Sequence, residues 1–187
     1  MFHWLRGLTE RFRAHQAAER QEQATGRQQT MATAGDDFKA VGGCRCDNNP
    51  VRYEYTKRPF ETHFCCCTDC TDICGGALAL ISVVERDAFR VTQGESKIKN
   101  YDTKPTCHRR FCAECGCHMF LYVDAFPDFV LVHVPTLDRE SEVGTAPDRW
   151  VFTASKHPMV MIPDDGLPRH RGWADSVDAA QAPAADR

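Results

Sequence analysis

Cys65-Cys66-Cys67-Thr68-Asp69-Cys70 is the stretch whose reading decides this chain. Its thiols stand at two spacings at once, Cys-x-Cys and Cys-x-x-Cys. Residues two apart on an extended strand share a face, so Cys65 and Cys67 aim at one point while Cys66 faces away. A tight turn then brings Cys70 onto the same point, which is the geometry of thiolate metal ligation. Working outward, the same two spacings recur singly as Cys44-Arg45-Cys46 and Cys112-Ala113-Glu114-Cys115. Seven placed thiolates suffice for one closed four-sulfur site and one three-sulfur site with an open corner.

The four-sulfur site is assigned to Cys44, Cys46, Cys112 and Cys115, which would clip the first strand of a domain to a late hairpin. Four thiolates around Zn²⁺ make a saturated complex with no room for a further ligand, so such a site is a staple. Gly42-Gly43 and Gly116 suit turns in which backbone amides approach sulfur. Cys65, Cys67 and Cys70 are assigned to the second ion. Spacing alone leaves open whether that site keeps a vacant position or is closed by Cys66, Cys74, Cys107 or Cys117. Cys74, four residues beyond Cys70, suits a helical turn into the core. His118 and His133 lie in apolar runs and read as core or surface residues. His63, His108 and His157 stay open as groups supporting the metal or meeting a substrate.

The eleven cysteines, with no secretory signal or long apolar stretch in the sequence, point to metal in a reducing, cytoplasmic setting rather than to disulfides. A net charge of −3 and the absence of a basic stripe argue against nucleic acid, and no membrane partner is expected. An oligomer stays open. Length (187 residues) and hydrophobic content (42%) suit one domain with extensions.

Phe2, Leu5, Leu8 and Phe12 recur at helical spacing, so residues 1–37 are read as an amphipathic helical extension, over 1–29, running into a flexible linker. Residues 38–173 form the zinc-binding domain, and 174–187 a disordered tail. Inside the domain the periodicity is two. Strands are expected at 51–55, 78–84, 118–123, 129–134, 150–153 and 159–162, with single helical turns near 69–75 and 85–89. Turn signals stand at Asn48-Asn49-Pro50, Gly94, Lys104-Pro105 and Pro127-Asp128. The fold class is mainly β, built from antiparallel strands with few short helices.

The order of motifs resembles one family. Gly43-Cys44-Arg45-Cys46, then Cys65 to Cys70 followed by Gly75-Gly76-Ala77, then Phe111-Cys112-Ala113-Glu114-Cys115-Gly116, then Thr136-Leu137-Asp138, is similar to the glutathione-dependent formaldehyde-activating enzyme and centromere protein V family over about 41–168. The resemblance implies a β-tent of antiparallel sheets and two zinc ions per chain. The structural ion would sit on Cys44, Cys46, Cys112 and Cys115, the catalytic one on Cys65, Cys67 and Cys70. It implies a carbon-sulfur lyase or synthase acting on an adduct of a glutathione-like thiol with an aldehyde, the partners being the thiol and a carbonyl or thioether substrate. Arg109, Arg110, Lys156 and His108 are candidates for substrate carboxylates or proton transfer. The chain departs from the family at Cys66, where a histidine is common, at Thr71 and Asp72, where basic residues are common, and at His157-Pro158-Met159, near a usual tryptophan. The rival reading is a non-catalytic zinc module that binds a partner.

Overall fold

A computed structural model describes residues 38–141 and 146–173. The helix expected over 1–29, the linker after it and the tail beyond 173 lie outside the described residues.

Ten strands build two sheets. The smaller has the order β1 (Ala40–Gly43), β2 (Arg52–Tyr55), β5 (Phe89–Gln93), all antiparallel. The larger runs β10 (Arg149–Val151), β3 (Glu61–Cys65), β4 (Ala79–Glu85), β9 (Phe129–His133), β8 (His118–Val123), β7 (Cys107–Cys112), β6 (Ile98–Lys104). Its pairs are antiparallel except β10 with β3, which is parallel, so the expectation of antiparallel sheets holds with that one exception. One α-helix, α1 (Thr68–Cys74), and short 3-10 turns complete the described residues.

Central strands β4 and β9 explain the architecture. Both are apolar on consecutive residues, as strands buried on two faces must be. Side chains alternate, and the register pairs Ile81 with His133 and Val83 with Leu131 on one face, Ser82 with Val132 and Val84 with Val130 on the other. Val84, Val130 and Val132 pack with Tyr53, Tyr55 and Phe120 in a core that joins the two sheets. Ile81, Val83, Leu121 and Leu131 form a second core on the opposite face, with Cys65, Cys70 and Val151. The larger sheet therefore carries one core on each side.

The Thr136-Leu137-Asp138 segment straps the small sheet to the end of β9. Tyr53 Oη and Thr136 Oγ1 are 2.6 Å apart, and Thr136 Oγ1 donates to the His133 carbonyl at 2.8 Å. Leu137 bridges Gly42, the Asp138 amide donates to the Val41 carbonyl at 2.9 Å, and the Asp138 carboxylate pairs with Arg52. Gly42 is required here, because a Cβ would lie 2.5 Å from Tyr53 Oη and 2.7 Å from the Thr136 carbonyl oxygen.

Two expectations need correction. Residues 159–162 are not a strand: Met159 and Met161 are 83% and 90% exposed. Pro158 and Pro163 flank them and offer no N–H for a ladder. The run expected over 150–153 ends as a strand at Val151 and turns into a 3-10 turn at Thr153–Ser155, after Phe152 adopts a left-handed conformation at φ 57°.

Candidate metal centre and its surroundings

Cys44 and Cys46 follow β1, Cys112 ends β7, and Cys115 lies in the turn that leads to β8. Their sulfurs all fall within 4.8 Å of one another. A tetrahedral zinc with Zn–S bonds of about 2.3 Å needs sulfurs roughly 3.8 Å apart. Cys46 Sγ and Cys112 Sγ are separated by 3.7 Å, so the group fits such an ion.

The backbone is shaped to the sulfurs. The Val51 amide donates to Cys44 Sγ at 3.1 Å while the Cys44 amide donates to the Val51 carbonyl at 3.0 Å. Gly43 allows that approach, since a Cβ there would sit 2.1 Å from the Val51 carbonyl oxygen. Gly116, at φ 70°, turns the chain so that its amide reaches the Cys112 carbonyl at 2.9 Å. Burial raises the Cys115 thiol, but backbone N–H groups of Cys117 and Arg45, with hydrogen bonds from Cys46 and Cys112, bring it down to about 7. Burial and its crowding by Cys44, Cys112 and Cys115 push Cys46 up.

The second group lies on the other face of the larger sheet. Cys65 is the last residue of β3, Cys67 is the N-cap of α1 and Cys70 stands in its first turn. Their sulfurs also lie within 4.8 Å of one another, with Cys65 Sγ and Cys67 Sγ 3.5 Å apart. The Cys70 amide donates to Cys67 Sγ at 3.4 Å, which fixes the turn. Cys65 is raised well above the ordinary thiol range by hydrogen bonding with Cys67 and Cys70. The same bonds hold Cys70 well below that range, with Arg109 adding to the effect.

Cys66, Cys74, Cys107 and Cys117 stay outside both groups. Cys66 is fully buried, its amide bonded to the Val151 carbonyl at 3.0 Å. Cys107 and Cys117 pack against the two cores. Cys74, expected to turn into the core, is exposed instead, with Sγ 3.7 Å from His133 Nδ1. His133 is itself buried in β9, which lowers its pKa to about 4 and makes it a neutral imidazole near neutral pH. Burial likewise lowers His118, which stacks on Phe111.

The remaining candidates separate by strand parity. Arg109 and Arg110 are neighbours on β7 and face opposite ways. Arg109 pairs in register with Leu121 of the second core and places Nη2 3.7 Å from Cys70 Sγ. Arg110 pairs with Phe120 and lays its guanidinium over Tyr122, away from the second cysteine group. His108 is a surface residue held between Asp102 and Asp124, each 2.9 Å away, and hydrogen bonds to those carboxylates raise its pKa. Its bonds are already committed. His157 borders a groove of about 400 Å³ with Thr71, Asp72, Leu78, Met159 and Met161. The positive charge of Lys156 acts on Cys66, which lies outside both groups.

Sequence reasoning missed Glu61. Glu61, His63 and Cys65 alternate on one face of β3, with Glu61 Oε1 2.9 Å from His63 Nδ1 and Arg149 Nη2 2.7 Å from Glu61 Oε2. The two-residue spacing was the available signal. The Lys104 to Asp69 ion pair at 2.6 Å, which links α1 to β6, was also missed, and it has no local sequence signal.

The family model for the glutathione-dependent formaldehyde-activating enzyme matches residues 39–155, a span that contains both cysteine groups and the strap. The chain belongs to this family. Relatives that carry the same name, in each case provisionally, include a Penicillium rubens protein 30% identical over 100 residues and a Colletotrichum graminicola protein 28% identical over 100 residues, each alignment covering 52% of this chain and 52% of the relative. A Phaeosphaeria nodorum protein is 33% identical over 90 residues, 47% of each chain. This chain thus spans about half the length of the curated relatives it matches. Among solved structures, a Rhodobacter sphaeroides protein aligns with a TM-score of 0.46 at 21% identity, covering 59% of this chain and 99% of that one.

Proposed function

We propose that the chain is a zinc-dependent carbon-sulfur lyase or synthase acting on the adduct of a glutathione-like thiol with an aldehyde. Cys44, Cys46, Cys112 and Cys115 hold a structural zinc in this reading, and Cys65, Cys67 and Cys70 the catalytic one. The observation that carries it is the unequal count: a converged group of three sulfurs beside a separate converged group of four, in a chain of this family. A zinc ion held by three thiolates supplies a fourth position that favours a bound thiol as thiolate.

The chain's own residues define the rest. α1 is anchored by Lys104 and by the Cys67 cap, so Cys67 and Cys70 are held on a rigid turn against Cys65 at the end of β3. In the synthetic direction the sulfur electron pair forms the bond to the aldehyde carbon, the thiol proton leaves, and the carbonyl oxygen takes up a proton. The lyase direction reverses each of these. In this reading the groove lined by Thr71, Leu78 and Met159, whose Thr71 follows Cys70 on α1, would take the carbon side of the adduct.

Cys67→Ala tests the assignment. The variant is expected to fold, retain one zinc per chain and lose glutathione-dependent formaldehyde consumption down to the spontaneous rate measured without protein. Full turnover in a folded variant with one zinc would refute it.

A further inference from the structure

Arg109 is 3% exposed, yet no carboxylate pairs with it among the described residues. Its hydrogen bonds run to Thr103 Oγ1, from Nε at 3.3 Å, and to Cys70 Sγ, from Nη2 at 3.7 Å. Nη1 is buried without a partner. Taking a guanidinium out of water costs several kcal/mol unless an anion compensates it. Thr103 offers a hydroxyl dipole and no charge. Asp69, the carboxylate next to Cys70 on α1, is already paired with Lys104. The compensating charge must therefore come from the sulfurs, and a divalent ion on three thiolates leaves the cluster with one net negative charge.

We propose that Arg109 is a positioning residue of the three-sulfur site, a buried counter-charge that neutralises the metal-thiolate cluster through Cys70 and so lets it accept a fourth, anionic sulfur. The inference rests on the two-zinc reading above. It names the thiolate form of the substrate as what the site is charged to receive. Without Arg109, an incoming thiolate would bring a second uncompensated negative charge into a buried site. With it, the loaded cluster and guanidinium together carry a single negative charge. The planar fork also matters, because Nε on Thr103 sets the plane that aims Nη2 at sulfur. The four-sulfur group differs in that Cys115 is exposed to solvent and its nearby cation, Lys97, lies at the surface, where it also pairs with Glu114.

The test compares wild type with Arg109→Met, Arg109→Lys and, as a control, Arg110→Met, which removes an equal charge from the opposite face of the same strand. Zinc per folded chain, zinc affinity by chelator competition and the sulfur-to-metal absorption of the cobalt-substituted protein are measured, with and without glutathione. Arg109→Met is expected to keep one tight zinc and to bind the second 10- to 100-fold more weakly, by analogy with other partners of metal ligands, losing the glutathione-induced change in the cobalt spectrum. Arg109→Lys should recover part of the affinity, and Arg110→Met should match wild type.

If Arg109→Met does not fold, Arg109→Lys decides: weakened second-site affinity with a shifted spectrum supports the role, and wild-type behaviour overturns it. A wild type with two zincs and an unaffected Arg109→Met overturns the counter-charge role alone. A wild type that binds one zinc overturns the two-site reading and this role together.

Discussion

Tyr53, fully buried, and Thr136, half-buried, form a pair whose proton order follows from its hydrogen bonds, and this makes an asymmetric double-mutant cycle predictable. Thr136 has one hydroxyl proton, and it is committed to the His133 carbonyl at 2.8 Å. Tyr53 Oη, 2.6 Å away, must therefore be the donor to Thr136 Oγ1. Tyr53→Phe removes that donor and leaves an oxygen that still has a partner, so it should cost about 1 kcal/mol. Thr136→Val removes two hydrogen bonds and strands the fully buried phenol, for about 2 to 4 kcal/mol on the same scale. Adding Tyr53→Phe to Thr136→Val then removes the stranded hydroxyl and should cost nothing or restore up to about 1 kcal/mol.

Urea unfolding at fixed free zinc, with equal m-values, measures the cycle, because ion binding contributes to apparent stability. Turnover per folded molecule should be unchanged in all three variants, since the strap lies against the small sheet, away from the three-sulfur group. Additive energies would refute the proton order. Lost turnover at wild-type stability would refute the view that this family motif is structural.

Gly43→Ala should destabilise by about 3 kcal/mol or more, because the new Cβ meets backbone at 2.1 Å and neither β1 nor β2 can retreat without breaking the Cys44 to Val51 bonds; a melting temperature within 2 °C of wild type at equal zinc content would contradict it. Glu54 is buried, and hydrogen bonds from Lys39 and Arg90 lower its pKa. A folded-state pKa below the unfolded value contributes stability above the unfolded value, lost as pH falls through the folded one. Glu54→Gln should therefore weaken the protein at pH 7, with a gap to wild type that starts to narrow below about pH 4, the unfolded carboxylate range, and closes only beneath the lower folded-state value, in a chemical denaturation series. A gap constant from pH 7 to 3 would contradict that sign.

Much of the fold was legible because burial writes itself into periodicity. The apolar runs of β4, β8 and β9 mark strands covered on two faces, and the helical turn expected near 69–75, which the Cys70 to Cys74 spacing suited, is met by α1. β6 was invisible for the opposite reason. It is an edge strand bearing Lys99, Asn100 and Asp102, the polar side chains with which such edges avoid pairing with other chains. Met159 to Ile162 misled because methionine scores as apolar while these methionines face solvent.

Spacing suggested the grouping of seven cysteines into four and three but left open whether a further cysteine joins the three; the structure keeps Cys66, Cys74, Cys107 and Cys117 outside both groups. The placement of Arg109 against Cys70 was not legible, because it depends on how α1 packs over β7, 39 residues later in the chain.

The two cysteine groups occupy opposite faces of one sheet, and β7 serves both, sending Arg109 to one side and Cys112, three residues on, to the other. Strand parity is thus what separates the two converged cysteine groups in a chain with eleven thiols. A one-residue slip of β7 would exchange the two faces, withdrawing Cys112 from its four-sulfur group and pointing Arg110 where Arg109 belongs. Any early metal capture in the wrong register would therefore leave an incomplete ligand set, weaker than the native one and open to correction. On the proposed two-ion reading, the pleat would select between ligand sets as the sheet forms.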